Sequence, residues 1–282
     1  MNKNGWSAAV CLALSSGATA DSVVDGGVLY SAFSTIESGL DLLLPDTLKG
    51  GETRIRLGVG FGAVPDYFGS DEYRFKVLPI VDIRFKKRWR LNFNRLSYSA
   101  LKMDGWEVGP FIKYKGGRKE KRNPMLMGLG NIKATAQLGV FTKYKTDRML
   151  FNLEYRQALG SGQGGSITAT LGHALFKSGN FVLASAVTGK WLSDTAMQTN
   201  FGVTATQSER SDYGLPVFET SSGVSDFSLN LLGRYNISDK YRLLGLMRFG
   251  RMVGDAAASP LVAESNGSRN QVKAGLAFTI DF

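Results

Sequence analysis

Q-V-K-A-G-L-A-F-T-I-D-F, residues Gln271 to Phe282, closes the chain and decides how the rest is read. Val272, Ala274, Leu276, Phe278, Ile280 and Phe282 hold the even positions, and Gln271, Lys273, Gly275, Ala277, Thr279 and Asp281 the odd ones. Successive strand side chains point to opposite faces, so this strand has one unbroken apolar face and one small or polar face. A membrane barrel divides its strands this way, with lipid outside and lumen inside. Phe278, Ile280 and the terminal Phe282 then read as the insertion signal for a barrel assembly machinery.

The other end agrees. Met1 to Ala20 carries one charge, Lys3, then the apolar run A-A-V-C-L-A-L from Ala8 to Leu14, then small residues. Ala18-Thr19-Ala20 fits the small-x-small rule, with Asp21 starting the mature chain, so a cleaved secretory signal peptide is expected. The run is too short to anchor, because a membrane-spanning helix takes roughly 20 apolar residues. Cleavage would remove Cys11, the only cysteine, leaving neither disulfide nor thiolate chemistry, which suits an oxidising compartment. The expected divisions are 1–20 signal peptide, 21–52 an N-terminal segment that could supply a first strand, and 53–282 a barrel.

The mean hydropathy of −0.09 is that of a soluble protein, yet a barrel is also expected to average its two faces in this way. Glycine (34 residues) and aromatics (11%) are plentiful, as barrel walls and interfacial girdles require. The net charge is +10. In an exported chain that charge points to lipopolysaccharide phosphates and anionic headgroups rather than nucleic acid. The same charge could also simply lie in solvated loops.

Alternating stretches recur from Thr53 onward. Ile55, Leu57, Val59, Phe61 and Ala63 alternate with Arg54, Arg56, Gly58, Gly60 and Gly62. Further stretches are expected at Phe75–Phe85, Trp89–Phe93, Trp106–Tyr114, Lys133–Lys145, Arg148–Gln157, Ser166–Phe176, Phe181–Trp191, Phe227–Tyr235, Tyr241–Phe249 and Gln271–Phe282. Most match the roughly 9–11 residues of a tilted membrane strand and exceed the 5–6 of a soluble sandwich. Connections alternate short (Thr146-Asp147, Lys177–Asn180, Asn236–Lys240) and long (Gly116–Ile132, Leu192–Asp226, Gly250–Asn270), the habit of periplasmic turns and external loops. The expected fold is therefore an all-β, antiparallel transmembrane β-barrel. The stretches number eleven, and a single-chain bacterial barrel has an even count. Twelve strands are expected, with Ser31–Leu44 as the best candidate for the missing one. Ten is the alternative, if Arg88–Asp104 is irregular.

Four loop segments carry a resemblance: V-P-D-Y-F-G-S-D-E-Y-R (Val64–Arg74), N-P-M-L-M-G-L-G-N-I (Asn123–Ile132), M-Q-T-N-F-G-V-T-A-T-Q-S (Met197–Ser208), and G-D-A-A-A-S-P-L-V (Gly254–Val262) followed by G-S-R-N-Q (Gly267–Gln271). In this order, between barrel-length stretches, the chain from about Arg54 to Phe282 closely resembles the MipA/OmpV family of Gram-negative outer-membrane proteins. It departs from the family's usual pattern at Phe68, where Glu is usual, and at Asn131 and Asn200, where Asp and Tyr are usual. The resemblance implies an outer-membrane barrel in the cell envelope, without cofactor or agreed catalytic residues. It also implies a scaffold between a lytic murein transglycosylase and a bifunctional penicillin-binding protein. Adhesion, envelope stress and a narrow pore for small solutes are the alternatives.

Side chains that could carry chemistry are few. His173 is the only histidine. It shares a strand face with Ile167, Ala169, Leu171 and Leu175, so a packed or interfacial role outweighs a triad with Ser166 or Ser178. No enzyme is expected. Asp66, Asp71 and Glu72 are a weak Ca²⁺ candidate and more plainly turn residues. Arg118, Lys119, Lys121 and Arg122 are candidate contacts for lipopolysaccharide or a protein partner. Arg54, Arg56, Glu154, Arg156, Arg234, Arg242 and Arg248 are expected in the lumen. Ion-paired, they would plug it; unpaired, the arginines would favour anions.

Overall fold

The computed structural model describes residues 53–263 and 267–282. The expected signal cleavage residues Ala18, Ala20 and Asp21, and the candidate strand Ser31–Leu44, lie outside the described residues. The strands are β1 (Thr53–Pro65), β2 (Tyr73–Phe85), β3 (Trp89–Asn92), β4 (Arg95–Tyr98), β5 (Leu101–Met103), β6 (Trp106–Lys115), β7 (Thr135–Lys145), β8 (Met149–Ala158), β9 (Gly165–Ser178), β10 (Phe181–Leu192), β11 (Gly223–Asn236), β12 (Tyr241–Met252) and β13 (Asn270–Asp281). Each pairs antiparallel with its neighbour, β13 returns to β1 and β4 pairs with β6, so the sheet closes.

The missing strand is Arg95–Met103. β4 and β5 run along the same edge of β6, as Arg95↔Lys113 and Leu101↔Val108 show, and together form one wall strand broken at Ser99-Ala100. Pro110 stands opposite that break, a place that does not require the N–H it lacks. The ring therefore has twelve strands and closes without Ser31–Leu44. The Arg88–Asp104 region is irregular, as the ten-strand alternative supposed, yet it supplies two strands rather than none. One of them, β3, is the expected stretch Trp89–Phe93; the other escapes the sequence because β4 has four residues and β5 three, too few for a period to show.

The closing strand β13 behaves as its alternation predicts. Val272, Leu276 and Phe278 are exposed, whereas Gln271, Lys273 and Thr279 are buried. The same division recurs round the ring, with exposed Leu57, Val59 and Phe61 on β1 and buried Arg56 beside them. Such a continuous apolar outer surface is stable only against hydrocarbon. Tyr241 stacks on Phe278 at 5.8 Å, and Trp106 meets Tyr144 at 4.8 Å with the rings tilted by 38°, both toward the end of the barrel that holds the C-terminus. Short turns lie at that end: 86–88, 104–105, 146–148, 179–180 and 237–240. The five longer connections, 66–72, 116–134, 159–164, 193–222 and 253–269, all lie at the other.

Candidate functional site: the capped mouth and the charged lumen

The outer connections fold into a body with its own core. Tyr67, Met125, Leu126, Leu129, Met197, Phe201, Val203, Leu215, Leu261 and Val262 are all buried in one cluster, beside Leu192 and Met252 at the strand ends. The β6–β7 connection and the β12–β13 connection leave the ring on opposite sides. A core shared by both must cross the mouth, and so the loops cap it. Two helices give the cap its frame. The first, α1 (Asp194–Phe201), starts at Ser193, whose hydroxyl accepts from Ala196 N. The second, α2 (Ala205–Arg210), starts at a capping box of Thr204 and Gln207. A short α3 (Gly254–Ala258) follows β12.

All four loop segments that carry the family resemblance meet in this cap. Tyr67 Oη donates to Leu261 O at 3.2 Å, and Ser268 N to Gly69 O at 2.7 Å. Gly69 has φ +103, and a Cβ there would stand 2.4 Å from Val262 Cγ2, so this position admits glycine alone. Asn123 Nδ2 bridges Asp66 at 3.2 Å and Glu72 at 2.8 Å. Gln207 Nε2 donates to Leu129 O at 2.7 Å, and Ser259 Oγ to Phe201 O at 2.6 Å. The two asparagine departures are absorbed locally: Asn131 Oδ1 accepts from Glu120 N, and Asn200 Nδ2 donates to Ala196 O. At the third departure, the Phe68 ring has the Lys190 and Lys273 ammonium groups each 5.1 Å from its centroid.

The basic run divides. Lys119 and Lys121 are exposed, whereas Arg118 and Arg122 turn toward a small cavity that they line with Tyr67, Lys115, Gln163 and Asn200. Arg118 Nη1 donates to Asn200 O at 3.5 Å. Burial pulls the Arg118 and Arg122 guanidinium groups down to about 10 and pushes the Tyr67 phenol up, the last helped by Asp71. In the candidate Ca²⁺ set, Asp66 is taken by Arg74 at 2.8 Å as well as by Asn123, and Asp71 is exposed. Among the described residues no three His, Cys, Asp or Glu side chains are grouped as a metal site requires. His173 lies on the outer face of β9, paired with Ser185 and Met149. Ser166 faces the lumen near the opposite end of that strand, where Arg156 Nε donates to its hydroxyl at 2.9 Å, so His173 and Ser166 do not meet.

The lumen carries its charges in paired tiers. Nearest the end of the short turns, Arg54 (3.0 Å), Arg56 (2.5 Å) and Arg242 converge on Asp281, and Arg90 (2.8 Å), Arg56 (3.7 Å) and Arg84 (3.9 Å) on Asp82. At mid-height Glu154 takes Arg95 at 2.6 Å and Arg156 at 4.0 Å, with Asn152 donating to it at 3.1 Å. Toward the cap Arg248 meets Asp226 at 3.0 Å. The sequence pointed to Arg54, Arg56, Glu154, Arg156, Arg242 and Arg248, and also to Arg234, which is buried on β11. It did not single out Asp82 and Arg84, at inward positions of the expected stretch Phe75–Phe85, or Arg90 of Trp89–Phe93, and it missed Arg95, which sits on the unexpected strand β4.

A closed antiparallel ring, an apolar outer band and a charged interior define an outer-membrane β-barrel. Residues 57–282 match the family described as MltA-interacting protein MipA, and the chain belongs to that family. Solved structures similar to it are themselves outer-membrane proteins. The COG4313 outer membrane channel from Pseudomonas putida F1 has 10% identity and a TM-score of 0.43, over 85% of this chain and 100% of that one. OmpF of Salmonella typhi, in complex with daunomycin, has 9% identity and a TM-score of 0.39, over 81% and 97%. OprD of Pseudomonas aeruginosa has 12% identity and a TM-score of 0.36, over 72% and 56%. No curated protein matches the sequence.

Proposed function

We propose that this protein is a non-enzymatic scaffold of the outer membrane that holds murein-processing enzymes against it. The observation that carries this reading is the cap: loops from opposite sides of the ring share one core across the mouth, above a lumen whose charges are ion-paired. Such a barrel is suited to presenting a fixed surface rather than to bulk passage. The family description, MltA-interacting protein, supports a protein partner, and the partners that the family resemblance implies are a lytic murein transglycosylase and a bifunctional penicillin-binding protein. A periplasmic partner would meet the short turns, where Lys86, Lys87, Arg88, Arg148 and Lys240 are exposed. That rim suits an acidic docking face.

The test is binding of purified transglycosylase and penicillin-binding protein to the immobilised barrel. Binding should be specific, weaken with salt, and fall at least tenfold in a Lys86→Glu, Lys87→Glu, Arg88→Glu triple variant that still folds. Absence of binding by either enzyme would overturn the reading.

A further inference from the structure

Four of the long connections meet at the small cavity beneath the cap. Tyr67 reaches it from the β1–β2 connection, Arg118 and Arg122 from β6–β7, Gln163 from β8–β9, and Asn200 from α1. Lys115, the last residue of β6, lines it as well. The cavity measures about 40 Å³. At about 10–15 Å³ for each water-sized group, it has room for about three or four, as many as the oxygens of a single oxyanion.

The lining is cationic. Among the described residues no Asp or Glu lines the cavity. Arg118 Nε is buried and has no hydrogen-bond partner there. Arg118 Nη1 has the Asn200 carbonyl at 3.5 Å, longer than the roughly 2.7–3.2 Å of a good hydrogen bond. Native proteins pair nearly all their buried donors, so this nitrogen lacks a partner that the fold itself does not supply. The Tyr67 phenol, whose negative form would favour Arg118, is kept protonated by its burial. Lys115 is under the like charges of Lys190 and Arg156. Of the acids whose charge reaches Tyr67, Asp71 is exposed, while Asp66 is engaged by Arg74 and Asn123, and Glu72 by Asn123. The neutral groups are committed elsewhere: Tyr67 Oη donates to Leu261 O, Gln163 Nε2 to Lys133 O and Asn200 Nδ2 to Ala196 O. Arg118 and Lys115 are the donors left for an occupant.

From this arrangement we infer that the cavity binds one small dianionic oxyanion, of the phosphate class, held by Arg118 and Lys115. Its oxygens accept the charge-assisted bonds that the guanidinium and the ammonium offer. Its charge matches the two cations, and its size matches the space. Water alone would leave both charges buried without compensation. Once bound, the anion pins Arg118 and Lys115 beside Tyr67 and Asn200, which come from other connections, and so stiffens the cap where they meet. The site needs no protein partner, so it goes beyond the scaffold reading and does not depend on it. Free phosphate and the phosphate of a lipid headgroup present the same chemistry to Arg118.

The test uses the protein purified from outer membranes in a maltoside detergent and dialysed free of phosphate and sulfate. One arm adds radiolabelled inorganic phosphate and measures binding by equilibrium dialysis. The other adds lipid A with its phosphates. Both arms also follow hydrogen exchange at 116–122 and 197–203. Free phosphate should bind once per barrel, yield to sulfate but not to acetate, and slow exchange in both segments. Arg118→Gln and, separately, Lys115→Gln should weaken binding about tenfold or more and abolish the slowing. Lys177→Gln removes an exposed charge at the opposite end of the barrel and should change neither. Heat-modifiable migration on gels confirms that each variant folds. Slowing by lipid A alone, lost in Arg118→Gln, would support the site and assign its phosphate to a headgroup. Three results would overturn the site: no slowing by either ligand, binding that survives both Arg118→Gln and Lys115→Gln, or binding weakened equally by Lys177→Gln.

Discussion

Replacing Glu154 by Gln removes the charge at the centre of the mid-height tier while keeping its shape. Glu154 is 7% exposed and lies on β8, whereas Arg95, 2.6 Å away, lies on β4. β6 and β7 separate the two strands, so the pair ties the weakest part of the wall, the short hairpin, across the lumen to a long strand. Breaking a buried ion pair by removing one member typically costs about 3–5 kcal/mol. Two features reduce that here. Arg95 keeps its place over the Phe111 ring, 3.8 Å from the centroid, a contact worth about 2 kcal/mol when desolvated. The glutamine carbonyl also still accepts a hydrogen bond. The expected loss is therefore about 2–3 kcal/mol, read from reversible urea unfolding in lipid vesicles followed by tryptophan fluorescence. Arg95→Met in the Glu154→Gln background should add less than it does alone, because the two share one interaction. A loss below about 0.5 kcal/mol, or strict additivity in the double variant, would refute the idea that paired charges brace the wall.

Other variants probe the cap. Met197→Ala, at a fully buried position in its core, should cost about 2–5 kcal/mol of local stability and make the outer loops cleavable by added protease while the strands stay protected. Ser193→Ala should cost about 1 kcal/mol in the same assay, since its hydroxyl accepts from both Ala196 N and Gly165 N. Gly69→Ala should prevent the cap from closing at all, visible as rapid hydrogen exchange at 66–72, because the left-handed φ and the contact with Val262 both exclude a Cβ. Asp281→Asn leaves Arg54, Arg56 and Arg242 converging on a neutral amide, and should slow folding into vesicles and cost about 3–5 kcal/mol.

The long strands were legible because a wall between lipid and lumen forces a two-residue period, and β13 shows that period without a break. The short hairpin was only half legible: Trp89–Phe93 announced its first strand, but the four residues of β4 and three of β5 carry too little alternation to separate a strand from a loop. The lumen tiers were half legible. Arg54, Arg56 and Glu154 sit at inward positions of clear strands, but their partners Asp281 and Arg95 come from strands far away in sequence, and only Asp82 lies on the neighbouring strand, opposite Arg56. The cap was legible only through family likeness. Its turn-forming segments have no period, and their convergence depends on ring closure, which brings Met125 and Val262 into one core from opposite sides of the mouth.

Ion conductance across a planar bilayer, compared between the intact protein and a variant in which 195–221 is replaced by a short glycine-serine linker, tests the capped mouth most directly. The intact barrel should give no sustained steps, and the uncapped one should give small, steady, anion-favouring steps, since inward cations outnumber inward acids in each tier. Sustained conductance from the intact protein, unchanged by removal of that loop, would contradict the account.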